Sequence, residues 1–197
     1  MYPQKILGVV LTLFVFTAIA VAGDITGVVI CKGARDAGNV VVYVETVAEP
    51  DSAPTEHALM NQSNLVFVPH VLPVVKGTTV DYLNSDDVLH NVFTPDKCAD
   101  KMNLGSWPKG ETRSYTYNQQ GCVSVMLCNV HPEMEAWVVV LQNQYFSKTD
   151  KAGNFTIESV PAGDYKLALW HEKLKGEGVT VTVPETGSVT VSLEMRR

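Results

Sequence analysis

Charge is scarce in this chain: 18% of its 197 residues are charged, against 46% that are hydrophobic. A folded core is therefore expected. The few charges lean acidic, to a net −6, which argues against nucleic-acid binding. Because they are scattered, they permit only weak steering toward a basic partner. Helical periodicity is poor, and the chain has no repeat, coiled coil or low-complexity tract. It has neither a nucleophile elbow nor a Gly-rich phosphate loop, so a hydrolytic enzyme finds no support and the chain is expected not to be an enzyme.

Long apolar runs are missing except at the start, where Lys5 precedes an apolar stretch from Ile6 to Ala22. Ala20-Val21-Ala22 before Gly23 is an A-x-A-like cleavage site, so residues 1–22 read as a Sec-type signal peptide cut near Ala22-Gly23. The expected location is periplasmic or otherwise exported. About seventeen apolar residues sit at the lower limit for a span, so membrane attachment is expected only if the leader stays uncleaved. Lipoprotein processing does not fit, because bulky Ile30 precedes Cys31 and both lie beyond the run. Removing residues 1–22 takes one cation, Lys5, and no anion, so the net charge of −6 becomes −7.

What is present is frequent Gly and Pro between short stretches of period-two alternation, the signature of many short strands. Ile25–Ile30 and Val40–Glu45 read as strands flanking a turn-rich segment. Ala48 to His57 has the composition of a linker. A second module then carries strands at Asn64–Pro69, Val71–Val75, Thr78–Asn84, Thr112–Tyr117, Cys122–Cys128 and Ala136–Leu141. A polar loop, Asn84-Ser85-Asp86-Asp87, leads to His90. Further strands are expected around Phe155–Ile157, Lys166–Trp170, Val179–Val183 and Val189–Met195. In the strand before Cys128, Ser124 and Met126 share the Cys128 face. Val123, Val125 and Leu127 form an apolar opposite face, which needs a cover that a second domain would provide.

The chemistry concentrates in Cys128-Asn129-Val130-His131-Pro132-Glu133-Met134, a Cys-x2-His-x2-Met loop, with His90 upstream. Two imidazoles and a thiolate in a plane, with a weak axial thioether, are what a mononuclear blue copper site needs. Thiolate donates strongly to Cu(II), imidazole suits both oxidation states, and thioether favours Cu(I). Zinc is the rival metal, since one Cys and two His make a credible zinc set, but Met is not a usual zinc ligand. Taken singly, a strand-end Cys, a surface His and a core Met are unremarkable; their common register with His90-Asn91 makes a metal site.

On these residues, the segment from about Asn64 to Leu141 resembles the cupredoxin family of plastocyanin- and amicyanin-like blue copper proteins, above all those labelled methylamine utilisation proteins. The short loop with Pro132 after His131 is amicyanin-like, and Phe67-Val68-Pro69-His70 and His90-Asn91-Val92-Phe93 add to the likeness. The resemblance implies a Greek-key β-barrel or sandwich and one type 1 copper held by His90, Cys128, His131 and Met134. It also implies that Asn91 hydrogen-bonds across to the Cys-bearing loop, that Pro132 stiffens that loop, and that His131 lies near the surface. Thr149-Asp150…Gly153…Phe155…Pro161-Ala162-Gly163-Asp164-Tyr165, with Ile25-Thr26-Gly27-Val28…Gly38–Val42, resembles the carboxypeptidase regulatory-like β-sandwich, of Ig/transthyretin-like type. The expected architecture is therefore all-β. A discontinuous sandwich spans 24–48 and 146–197, and a copper domain at 50–145 is inserted into it or packed against it.

Of the remaining cysteines, Cys98 and Cys122 are the candidate bridge, leaving Cys31 as a buried thiol. His57 is expected in solvent and His70 in structural packing. His171 is expected hydrogen-bonded beside a packed aromatic, Glu133 and Glu135 solvated, and Met60 and Met102 in core or loop. The function implied is a one-electron carrier cycling Cu(II)/Cu(I), with a c-type cytochrome or a periplasmic dehydrogenase as partner by analogy. The alternatives are a copper carrier or sensor that holds and releases the metal, and a β-sandwich binding module.

Overall fold

The computed structural model describes residues 22–48 and 50–197; apart from Ala22, the expected leader lies outside the described residues. Among these residues no helix is long and apolar enough to cross a membrane. Seventeen strands run β1 (Ala22–Lys32), β2 (Val41–Val44), β3 (Ala58–Ser63), β4 (Val66–Val68), β5 (Val71–Val75), β6 (Thr79–Asn84), β7 (His90–Phe93), β8 (Asn103–Trp107) and β9 (Thr112–Thr116). They continue as β10 (Val123–Leu127), β11 (Glu135–Leu141), β12 (Phe146–Lys148), β13 (Asn154–Pro161), β14 (Gly163–Trp170), β15 (Lys175–Gly176), β16 (Val179–Val183) and β17 (Ser188–Arg196). One 3-10 turn, Lys97–Ala99, lies between β7 and β8.

The strands form two sandwiches. The sheets β13-β1-β17-β15 and β12-β2-β14-β16 face each other over a core that includes Ile25, Val42, Ile157, Leu167 and Met195. The sheets β5-β11-β10-β7-β8 and β4-β3-β6-β9 enclose a second core around Met60, Tyr82, Trp107, Tyr117, Met126 and Met134. The chain leaves the first sandwich after β2, builds the whole second sandwich, and returns at β12, which pairs antiparallel with β2. β1 lies parallel to β17 over nine residue pairs, from Asp24↔Ser188 to Lys32↔Arg196. The two ends of the described chain thus complete one sheet, and the second sandwich is inserted into the first.

The two bodies touch through a third apolar cluster. Val41, Tyr43, Phe146 and Trp170 from the first sandwich meet Val71, Val123, Trp137, Val139 and Leu141 from the second. This contact covers part of the outer face of β10. Ser124 and Met126 point inward and are fully buried, and Val123 is packed under the neighbouring sandwich. Val125 and Leu127 stay half-buried outside that cluster.

At one rim of the contact the Trp137 indole N–H donates to Glu172 at 2.8 Å. His70 Nε2 lies 3.3 Å from the same carboxylate, and Lys173 Nζ lies 3.1 Å from its other oxygen. Burial alone would raise the Glu172 pKa, but the hydrogen bonds from Lys173 and Trp137 and the nearby His70 outweigh it and hold the carboxyl below its ordinary 4.5. A carboxylate with a depressed folded pKa contributes stability that is complete above the unfolded value and lost as pH falls through the folded one. Acidification below about pH 4.5 is therefore expected to loosen this contact. The Trp137–Trp170 pair, 5.6 Å between ring centroids, reports the loosening by fluorescence, and Glu172→Gln removes that pH step.

Several local features differ from the sequence expectations. β3 was not anticipated, so the first strand of the inserted module begins at Ala58 rather than Asn64. β8, an edge strand with only Trp107 buried, was also not anticipated. Cys31 is half-buried rather than buried: pairing of β1 with β13 stops at Val28, and Cys31 faces only Met195 of β17. His57 is exposed, as expected, with its Nδ1 3.0 Å from Asp81 Oδ1. His171 Nδ1 accepts the Lys173 amide at 3.0 Å, while the aromatic partner of Trp170 is Trp137 across the domain contact. Other expectations hold: Met60 and Met102 are core residues, and Cys98–Cys122 is a disulfide.

The β3–β4 hairpin turns on Asn64 and Leu65, at φ 57° and 59°. Two consecutive positive φ values are the pattern of a type I′ turn, which favours Asn-Gly. Asn tolerates that region; Leu does not. Leu65 is 41% exposed, so its side chain returns little burial for the strain. Leu65→Gly is expected to raise stability by about 0.5–1 kcal/mol, read from the urea midpoint.

Candidate metal centre

Three donors converge at one end of the inserted sandwich. His90 opens β7 and is fully buried. Cys128 follows the last residue of β10 and is 3% exposed. His131 sits partly exposed on the turn that connects β10 to β11. β10 is antiparallel to β11 over five pairs, from Val123↔Val139 to Leu127↔Glu135, and to β7 at Leu127↔Phe93. That pairing brings Cys128 beside His90 although 38 residues separate them. The turn is closed by the Met134 amide donating to the His131 carbonyl at 3.0 Å.

Cys128 Sγ lies 4.0 Å from His90 Nδ1 and 4.0 Å from His131 Nδ1, and the two Nδ1 atoms are 3.1 Å apart. The imidazoles stand edge to face at 61°. One ion bound at about 2.0–2.1 Å from nitrogen and 2.3 Å from sulfur spans those separations, so the donor triangle fits a single metal. The residues are also chemically suited: one cysteine sulfur and two imidazole nitrogens are donors of the softness that copper or zinc selects. Met134 is fully buried in the same core at the end of the turn. Pro132, Glu133 and Glu135 are exposed, and His70 stands in the domain contact rather than in this cluster.

The surroundings hold the donors in place. The Asn91 amide points at Cys128 Sγ at 3.4 Å, and Asn91 Oδ1 accepts the Asn129 amide at 3.3 Å. The Asn91 side-chain amide donates to Asn103 Oδ1 at 3.0 Å and to the Gly105 carbonyl at 2.8 Å. Asn91 therefore ties the Cys-bearing loop to both β7 and β8, as the resemblance implied and with β8 added. The sequence reading missed Asp86, whose Oδ2 stands 2.9 Å from His90 Nε2. With Nδ1 directed at the donor cluster, Nε2 carries the proton and donates to this carboxylate, which fixes tautomer and ring orientation. Burial would raise the Asp86 pKa, yet hydrogen bonds from the Leu65 amide, His90 and the Asn64 amide lower it. The signal that was present is a carboxylate four residues before a candidate ligand.

A family profile described as polysaccharide lyase family 4, domain II, matches residues 119–192. That is under half of the chain, and it supports a second β-sandwich beside the inserted one. Among solved structures, the chain is similar to an oxidised amicyanin variant at 23% identity and a TM-score of 0.40, over 43% of this chain and 81% of that one. A purple cupredoxin from Nitrosopumilus maritimus shares 23% identity at a TM-score of 0.38, over 42% of this chain and 98% of that one. A copper-containing nitrite reductase from Thermus scotoductus shares 22% identity at a TM-score of 0.41, over 47% of this chain and 25% of that one. No curated protein matches.

Proposed function

We propose that this chain is an exported one-electron carrier holding a single type 1 copper ion through His90, Cys128, His131 and Met134. The observation that carries the reading is the convergence of His90 Nδ1, Cys128 Sγ and His131 Nδ1 within 4.8 Å of one another. Copper, when bound, supplies the Cu(II)/Cu(I) couple. The protein's own part is to place donors that suit neither oxidation state's preferred geometry and to keep them from rearranging. Burial of His90 and Cys128 shuts water and substrates away from the donors, while the partly exposed His131 leaves one contact with the outside. An electron can cross at that contact and a substrate cannot reach past it, which favours a carrier over an enzyme. The partner on this reading is a redox protein such as a c-type cytochrome or a periplasmic dehydrogenase, met at the His131 end.

The test is voltammetry of the copper-loaded chain beside Met134→Gln. A reversible one-electron wave with copper retained through reduction is expected. The harder Gln oxygen in place of a thioether lowers the potential, because it favours Cu(II). An unchanged potential removes Met134 from the ligand set. Copper that passes to a chelator on reduction overturns the carrier of electrons in favour of a carrier of metal.

A further inference from the structure

Asp86 makes more contacts than the orientation of one imidazole requires. Its Oδ2 accepts from His90 Nε2 at 2.9 Å and from the Leu65 amide at 2.9 Å, and its Oδ1 accepts the Asn64 amide at 2.6 Å. Its own amide donates to Asn84 Oδ1 at 2.9 Å. The Asn84 side chain is in turn held by the Val88 and Trp107 carbonyls at 2.8 and 2.9 Å. The carboxylate is thus fixed from behind and shared in front. One side meets the outer nitrogen of a buried imidazole; the other meets both amides of a turn whose two residues have positive φ. That turn carries the exposed Leu65 and Val66.

We propose that Asp86 is a positioning residue that couples the Asn64–Leu65 turn to occupancy of the metal centre. The inference rests on the reading that His90 binds metal through Nδ1, though not on which metal. A cation on Nδ1 draws electron density from the ring and leaves Nε2–H a stronger donor, so its bond to the carboxylate gains charge assistance. A carboxylate held more firmly on the His90 side holds the two turn amides more firmly on the other. The apolar tip of the hairpin is then stiffer in the loaded protein than in the empty one. The coupling is reciprocal: whatever factor metal binding adds to the hold on the turn, a held turn adds to the affinity for metal.

Zinc tests this without redox chemistry or paramagnetism, since one Cys and two His accept it. Amide hydrogen exchange at Asn64 and Leu65 is measured by NMR on the full chain, with and without Zn2+, for the wild type and for Asp86→Asn. Zinc is expected to slow exchange at both amides by about fivefold or more in the wild type and to leave them unmoved in Asp86→Asn, whose zinc affinity falls. In the copper-loaded protein the same substitution raises the reduction potential, because a neutral acceptor supports Cu(II) less well, a shift that a purely structural role does not produce. Zinc that binds one to one with unmoved wild-type amides overturns the coupling alone and decides the matter even if the variant does not fold. Absence of any one-to-one binding overturns the metal reading and the coupling with it.

Discussion

Cys128→Ser abolishes the intense red absorption expected of the copper-loaded protein and broadens its copper hyperfine pattern in electron paramagnetic resonance. The absorption arises from charge transfer between thiolate sulfur and Cu(II), so no other residue of the cluster can replace it. The substitution is nearly isosteric in a site that is 3% exposed, and Ser can still receive the Asn91 amide that now points at Sγ. The loss is therefore chemical rather than structural. His90 and His131 remain as a pair of imidazoles with their Nδ1 atoms 3.1 Å apart, so some copper is still expected to bind, pale and weak, with affinity lower by at least about tenfold to a hundredfold. Changing an outer partner of a ligand already costs that much. Cys31→Ser is the control. That thiol lies at the far end of β1 in the other sandwich, and burial together with Asp36 pushes its pKa up, so it offers little thiolate to metal. A colour lost equally in both variants, or in neither, removes Cys128 from the site.

The parts of this molecule that could be read from its sequence are those set by local spacing. Ser124, Met126 and Cys128 alternate with Val123, Val125 and Leu127, and that pattern put Cys128 on one face and called for a cover over the apolar other. The Cys-x2-His-x2-Met loop is short enough for its donors to meet without knowing the fold. His90 is different: nothing local joins it to Cys128, and the resemblance had to supply the pairing that β7 and β10 provide. β3 was illegible because it inverts the usual pattern. Its inward positions include a polar Gln62, fully buried with neither end of its amide reaching a protein partner, and its outward ones include Leu59 at 52% exposure. β8 was illegible because it is an edge strand with only Trp107 buried, so no alternation of apolar residues marks it. Asp86 looked like one more polar loop residue, since the hairpin tip it holds approaches only when β3 and β6 lie side by side in parallel register.

Removing the disulfide with Cys98→Ser and Cys122→Ser together is expected to lower stability by about 3 kcal/mol, the loop-closure entropy of a bridge with a separation of 24 residues. For a chain of this size that corresponds to a fall in Tm of roughly 10 °C. The double variant is the correct one, because a single substitution leaves a free thiol able to compete with Cys128 for copper or to pair with it. The bridge fastens the 3-10 turn after β7 to the residue before β10, the strand that delivers the thiolate. Distortion of the metal centre would seem to follow, but two further attachments hold the same region. The Val125 amide donates to Asp96 at 2.8 Å, and the hydroxyls of Thr94 and Ser124 are 3.0 Å apart. The register of β10 on β11 then carries the chain to Cys128 without the bridge. The double variant is therefore expected to unfold at lower urea while its copper spectrum stays that of the wild type. A reductant should move the wild-type midpoint toward the variant's and leave the variant's own unchanged. If the spectrum collapses along with the midpoint, the bridge is part of the metal site, and the hydrogen bonds of Asp96 and Thr94 are too weak to stand in for it.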